Sequence, residues 1–329
     1  MQNKLNIAVL AGGNSSEFFI SLKSADTIVK HLDKDKYNVY VVQIKGNEWT
    51  LINDLNCGLI IHKNDFSFSD KGQKEKFDLV ISAIHGTPGE DGLIQAYFDM
   101  LSVPYVGSGV LASSLTFNKY YCNTFLQNAG IVNIAKSLIV RKGKTFNSNE
   151  IIEEVGLPCF VKPNAGGSSF GISKVKNTEG IDNAINEAFK ESDEVIVETF
   201  IKGDEIQCGI FKTKEKVYAL PLVEIVSKNE FFDYQAKYDP NFSEEIIPAR
   251  ISDDLTIKCQ KIASELYDEL NCKGIVRMDF ILKDGDYWFL EANTVPGMTD
   301  ESLVPQMIEK ANMTIKEVMS LLIEDALDK

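Results

Sequence analysis

Phe160-Val161-Lys162-Pro163-Asn164-Ala165-Gly166-Gly167-Ser168-Ser169-Phe170-Gly171 sets a strand-forming run, a lysine and a glycine- and serine-rich loop in immediate succession. Glycines permit positive φ and close backbone approach, free N–H groups can face phosphate oxygens, and a lysine supplies a compact positive charge. The segment therefore suits a loop that wraps a triphosphate. Its spacing departs from the Gly-x-x-x-x-Gly-Lys-Ser/Thr pattern, so a P-loop fold is not implied. A structural hairpin turn is the competing reading of this segment taken alone.

Outward from it, the pattern of elements changes along the chain. Residues 7–10, 37–44 and 79–84 read as strands, and 21–31 and 92–100 as helices, an alternation that predicts a doubly wound parallel sheet. The first strand runs into Ala11-Gly12-Gly13-Asn14-Ser15-Ser16-Glu17, a turn of the kind that admits a ligand at the carboxyl end of a sheet. It lacks the third glycine of a dinucleotide fingerprint, so a plain strand-to-helix turn fits it equally well. From about Gly107 a mixed α+β region follows, with helices at 118–127 and 181–190 and strands at 159–162, 172–175 and 195–198. Beyond Gly203, strands are expected at 206–211, 218–226, 275–282 and 287–291, with helices at 253–270 and 315–327. The stretch 228–248 is polar and aromatic, without periodicity, and longer than an ordinary connection, as lids and linkers are. The expected sections are 1–107, 108–202 and 203–329, the last with a mobile loop at about 228–248.

A second cluster lies downstream. Arg277-Met278-Asp279-Phe280 is followed, after Lys283-Asp284-Gly285-Asp286, by Phe289-Leu290-Glu291-Ala292-Asn293-Thr294-Val295-Pro296-Gly297-Met298. Two-residue alternation places Arg277 with Asp279 and Glu291 with Asn293 on polar faces, while the residues between them turn away. Convergent carboxylate and amide oxygens suit magnesium, which keeps waters and bridges nucleotide phosphates. The competing reading is a solvated hairpin face. His85 in Ala83-Ile84-His85-Gly86-Thr87-Pro88-Gly89-Glu90-Asp91-Gly92, Lys119 at a helix start, and Glu198 and Glu205 around Glu198-Thr199-Phe200-Ile201-Lys202-Gly203-Asp204-Glu205 are each ambiguous alone.

Bulk properties narrow the classes. The 329 residues are 44% hydrophobic, enough for a sizeable core and too many for one compact unit. With 34 basic and 48 acidic side chains the formal charge is -14, which argues against general binding to nucleic acid or anionic membrane. Cys57, Cys122, Cys159, Cys208, Cys259 and Cys272 form no Cys-x-x-Cys pair and read as reduced thiols of a cytosolic enzyme. The sequence has no signal-peptide pattern and no stretch long and apolar enough to span a bilayer, so a cytoplasmic location is expected.

Taken in order, these segments resemble the D-alanine:D-alanine ligases of the ATP-grasp superfamily over nearly the whole chain. The resemblance rests on His-Gly-x-x-Gly-Glu-Asp-Gly from His85, Val161-Lys162-Pro163 with its Gly-Ser-Ser loop, Asp233-Tyr234-Gln235-Ala236-Lys237-Tyr238, and Leu290-Glu291-Ala292-Asn293-Thr294-Val295-Pro296-Gly297-Met298. It implies an α/β (α+β) architecture, two α+β domains of an ATP-grasp fold preceded by a Rossmann-like amino-terminal domain. It also implies ATP as co-substrate, two Mg2+ ions that Mn2+ can replace, D-alanine as substrate, and a homodimer.

Residue roles follow from the resemblance alone. Lys119 and Lys162 match the nucleotide-phosphate lysines, and Ser169 and Lys237 also match ATP-binding positions. Glu198 and Ile201 fall where adenine is met, and Glu205 where ribose is bound. Asp279, Glu291 and Asn293 match the magnesium ligands. Glu17 matches the acid that holds the first D-alanine's ammonium, His85 belongs to the same pocket, and Ser302 and Leu303 match the receivers of the second D-alanine's carboxylate. Arg277 and the Gly297 N–H match the oxyanion donors. Glu17, Ser168 and Tyr238 form a hydrogen-bonded set, and Tyr238 favours an amine over a hydroxyl nucleophile, since relatives making D-alanyl-D-lactate commonly lack a tyrosine there. Phe18 and Phe19, where polar residues are common, and Phe232, where tyrosine is frequent, depart from the family pattern. A biotin-carboxylase-like or glycinamide-ribotide-like ligase would share the lysines and metal ligands but not Glu17, Lys237-Tyr238 and Ser302-Leu303 together. A regulatory nucleotide-binding module would have no use for every metal ligand and Arg277.

Overall fold

The computed structural model describes residues 4–52, 58–166, 171–227 and 243–328. In the amino-terminal part, β1 (Leu5–Gly12), β2 (Tyr37–Lys45) and β3 (Glu48–Leu51) are followed by the β4–β5 hairpin (Ser67–Asp70, Gln73–Lys76), β6 (Leu79–Ser82) and β7 (Tyr105–Val106). Five of them make one sheet in the order β3-β2-β1-β6-β7, and β1, β2, β6 and β7 run parallel. β1 is an unbroken apolar run because both its faces are covered. Ile7, Val9 and Ala11 pack with Ala25 and Ile28 of α1 (Phe18–His31), whereas Ala8 and Leu10 pack with Ile94 and Phe98 of α2 (Leu93–Leu101). The chain order reverses between β1 and β6, so the loops leaving their carboxyl ends open a crevice at that point.

The second sheet has the order β11-β10-β12-β9, built from β9 (Ser137–Arg141), β10 (Cys159–Pro163), β11 (Ser173–Val175) and β12 (Glu194–Thr199), antiparallel throughout. Cys159, Val161, Val195 and Val197 face α5 (Ser148–Val155) and α6 (Ile181–Ala188), and their neighbours Phe160, Lys162 and Glu198 face the opposite side. A third sheet runs β16-β15-β13-β17-β18-β8, with β14 paired to β13. Its strands are β8 (Asn133–Ile134), β13 (Asp204–Lys212), β14 (Val217–Ala219), β15 (Val223–Ser227), β16 (Ser243–Ile246), β17 (Val276–Lys283) and β18 (Asp286–Asn293). Ile206, Cys208, Met278 and Phe280 bury against α7 (Asp253–Glu269), which starts at the capping side chain of Ser252. Cys122 and Leu126 of α4 (Lys119–Ala129) join that core, which follows α3 (Val110–Phe117) in the chain. α8 (Leu303–Lys310) and α9 (Ile315–Leu327) pack Met307, Val318, Leu322 and Ile323 beside Ile7 and Val9 of the first sheet.

The expected elements recur with small shifts at their ends, apart from one. The strand expected at 218–226 is two strands, β14 and β15, parted at Pro221, whose missing N–H cannot serve a ladder. Sequence reading passed over α3, α5, α8 and the short strands β3, β4, β5, β7, β8 and β9, and β16 stands within the stretch 228–248 that was expected to be a loop. α8 carries Pro305 in its first turn, where a missing N–H costs nothing. Among the described residues no helix is long and apolar enough to cross a membrane.

Candidate active site

The polar faces of the second and third sheets and the loops leaving the carboxyl ends of the first border one cleft of about 1660 Å³. Every described residue expected to have a role in the site lines it: Glu17 and His85 from the first sheet's loops, Lys119 from α4, Lys162, Glu198 and Ile201 from the second sheet, and Glu205, Arg277, Asp279, Glu291, Asn293, Gly297, Ser302 and Leu303 from the third sheet and its exit. Ser168, Ser169, Phe232, Lys237 and Tyr238 lie outside the described residues.

On β10 and β12 the lysine and acid predicted for the nucleotide form a buried pair, Lys162 Nζ to Glu198 Oε1 at 2.5 Å. Pairing is what permits two charges to leave water here. Lys119 Nζ donates to Gly166 O at 2.8 Å and lies 3.3 Å from Glu291 Oε2, so it links the glycine loop to β18. The loop's approach to α4 is set by Asn164, whose significance single-sequence reading missed. Fully buried, it accepts from Tyr120 N–H (2.8 Å) and donates to Asn118 Oδ1 (2.9 Å) and Glu194 Oε2 (3.0 Å).

The predicted alternation on β17 and β18 holds. Asp279 stands opposite Glu291 and Arg277 opposite Asn293 in the register, with a bulge after Asp279. Arg277 grips Asp279 with two bonds of 2.8 Å, from Nε to Oδ1 and Nη2 to Oδ2. Burial opposes the Arg277 charge, but Asp279, then Glu291 and Glu205, hold its pKa above the ordinary value. Glu205 on β13 is pushed up to about 7 by burial and then by the Asp279 carboxylate, with the Gln207 amide partly offsetting this. Such crowding of acids is what a cation relieves.

Among the described residues no three His, Cys, Asp or Glu side chains gather as a complete metal cage. The set on offer is two carboxylates and the Asn293 amide on adjacent strands, with Arg277 and Lys119 resting on the carboxylates. That hard, incomplete oxygen set fits Mg2+, which completes its shell with water and phosphate oxygens.

At the first sheet's end, His85 Nδ1–H donates to Val295 O at 3.0 Å and Nε2 lies 3.4 Å from Ser24 Oγ. Ser24 Oγ also accepts from Met298 N–H at 3.4 Å. His85 thus ties α1 to the turn that carries Gly297. Gly297 has no room for a Cβ, which would meet Ser302 Oγ at 2.7 Å. That hydroxyl in turn accepts from Thr299 N–H at 3.1 Å at the start of α8. Glu90, quoted from the sequence only as part of its motif, is buried and accepts from Gly86 N–H at 2.7 Å. Burial pushes its carboxyl up to about 7 against the pull of that bond. Its only sequence signal was an acid among glycines five residues after His85.

Residues 6–108 match the family described as D-ala D-ala ligase N-terminus, and residues 125–324 match D-ala D-ala ligase C-terminus. A D-alanine--D-alanine ligase of Phocaeicola vulgatus is 48% identical over 323 residues, covering 98% of this chain and 99% of that protein. One from Parabacteroides distasonis is 50% identical over 325 residues, 98% of each. Among solved structures, the VanG D-Ala:D-Ser ligase of Enterococcus faecalis superposes with a TM-score of 0.85 at 30% identity, covering 98% of this chain and 99% of that one. The D-alanine--D-alanine ligase of Bacillus anthracis complexed with ATP gives 0.80 at 30%, covering 99% and 98%. The chain belongs to the D-alanine–D-alanine ligase family, with the ATP-grasp fold of its structural neighbours.

Proposed function

We propose that this protein ligates two D-alanines to D-alanyl-D-alanine, a peptidoglycan precursor, with ATP converted to ADP and phosphate. The observation that supports it best is the convergence of phosphate lysines, hard oxygen donors and the Glu17–His85 and Ser302–Leu303 positions on one cleft. A carboxylate is a poor acyl donor until one oxygen becomes part of a leaving group. The first D-alanine carboxylate attacks the γ-phosphorus, the bond to the β-phosphate oxygen breaks, and ADP departs, leaving an acyl phosphate. Lys119 and Lys162 spread the developing charge over phosphate oxygens. Asp279, Glu291 and Asn293 would hold Mg2+, which would supply further neutralisation of phosphate charge. The second D-alanine, its ammonium having lost a proton, attacks the acyl carbon. Arg277 and the Gly297 N–H stabilise the tetrahedral oxyanion, and collapse expels inorganic phosphate.

Glu17 orients the first substrate's ammonium, with His85 holding that wall, and Ser302 with the Leu303 N–H receives the second carboxylate. Glu198, Ile201 and Glu205 hold the adenosine, Ser169 and Lys237 contribute to the triphosphate, and Tyr238 with Ser168 and Glu17 closes the first-substrate side against water. Two Mg2+ ions, replaceable by Mn2+, a cytoplasmic setting, a homodimer and the three-part division at 107 and 202 complete the proposal. The test is incubation with ATP, Mg2+ and single amino acids, reading phosphate release and product mass. D-Alanine should give phosphate and the dipeptide in equal amounts; no phosphate release with D-alanine would overturn the reading.

A further inference from the structure

One ordered linkage in the cleft belongs to none of the roles above. Glu245 of β16 accepts from Gln306 Nε2 at 3.1 Å, and the same amide nitrogen donates to Glu301 O at 3.0 Å. Gln306 stands one turn along α8 from Ser302, with its own N–H directed to Ser302 O at 3.4 Å. A primary amide has two N–H groups, and here they reach two different segments: the edge strand of the third sheet and the turn preceding α8. Glu245, Ser302, Leu303 and Gln306 all line the cleft together with Arg277. Burial raises the Glu245 carboxyl above its ordinary value, and the Gln306 amide and then the Arg277 charge partly oppose that rise. The turn itself is a close fit. The Ser302 hydroxyl contacts Thr299 Oγ1 at 2.7 Å and leaves Gly297 no space for a side chain. A small displacement of α8 therefore moves Ser302 and Gly297 together.

We infer that Glu245 and Gln306 are positioning residues for the second D-alanine: the amide bridge fixes the turn before α8 so that Ser302 Oγ and the Leu303 N–H meet its carboxylate. The inference rests on the ligase reading above. Neither residue touches a reacting atom, so their loss weakens binding of that substrate to ground and transition state alike, raising its half-saturation constant with kcat preserved.

The experiment compares wild type with Glu245→Ala, Gln306→Leu, their double variant and Glu245→Gln, resolving the two D-alanine half-saturation constants and that of ATP. Loss of one such bond should raise the second D-alanine constant about threefold to tenfold, with the ATP and first D-alanine constants within about twofold. Glu245→Gln keeps an acceptor and should stay near wild type. The double variant should match Gln306→Leu alone, since both changes break one linkage. A rise below about twofold in both single variants, an additive double variant, or a kcat loss of similar size in every variant overturns the inference. If Gln306→Leu fails to fold, Glu245→Ala on the exposed edge strand decides by itself. Wild type that makes no dipeptide defeats the ligase reading, whereas active wild type with unaltered variants defeats this inference alone.

Discussion

Arg277 and Asp279 stand two residues apart on one strand, and that spacing alone puts them on the same face, where the guanidinium meets the carboxylate in a two-bonded fork. A lysine is a point charge on a flexible stem and cannot reproduce that fork. Arg277→Lys should therefore keep the fold and lower kcat by about 100- to 1000-fold, the usual cost of an oxyanion donor; a loss below about tenfold would remove Arg277 from that role. Glu90 offers a pH test. Its folded pKa, pushed up to about 7 by burial, exceeds the ordinary glutamate value of 4.5, so the folded protein retains a proton that the unfolded chain releases. That contribution is fully present at low pH and is lost as pH rises from about 4.5 to about 7, then stays level. Glu90→Gln retains an acceptor for Gly86 N–H and cannot ionise. Its stability relative to wild type, measured by urea unfolding, should increase by up to about 3 kcal/mol across that window and be constant above it. The strand faces carrying Arg277 and Asp279 were legible from period two. Glu90 and Ser24 were not, because their partners come from turns and from segments as distant as Met298.

Elements with a strong internal signal were read close to their observed ends. α9 begins at a capping box in which Thr314 and Glu317 satisfy each other's backbone N–H groups, and its length agrees with the expected 315–327. Thr314→Ala should cost about 1 kcal/mol in equilibrium unfolding without changing any half-saturation constant; a kinetic change would mean that α9 communicates with the cleft. Short elements were missed for a different reason. β9 is an edge strand of five residues whose partner is 53 positions along the chain at Glu194, so its pairing is a tertiary fact. α8 announces itself weakly because Ser302, at its N-cap, spends its hydroxyl on Thr299 rather than on a capping bond.

In the whole molecule the last helix returns to the first strand, and Leu322, 3% exposed, packs in one core with Ile7, Val9 and Ile28. Leu322→Ala should cost about 2–5 kcal/mol, and loss of secondary structure and of activity should coincide on heating, because that core joins both ends of the chain. Binding to the cleft should stabilise the fold. ATP with Mg2+ at about 100 times its dissociation constant, without D-alanine, should add about 2.7 kcal/mol, and a chelator should remove most of that gain. A shift indifferent to the chelator would place the nucleotide elsewhere or free it of metal. The sequence by itself determined the element types, the faces of β17 and β18, and the family, because those depend on residue spacing and on motifs that are local in the chain. Only the tertiary structure decided that Glu17 and His85 border one cleft at the reversal between β1 and β6, that Lys119 reaches Glu291, and that Gln306 spans to Glu245. Those contacts join residues far apart in sequence, and they exist only once the apolar faces of three sheets have been buried, leaving the polar faces of the second and third and the loops of the first to share one cleft.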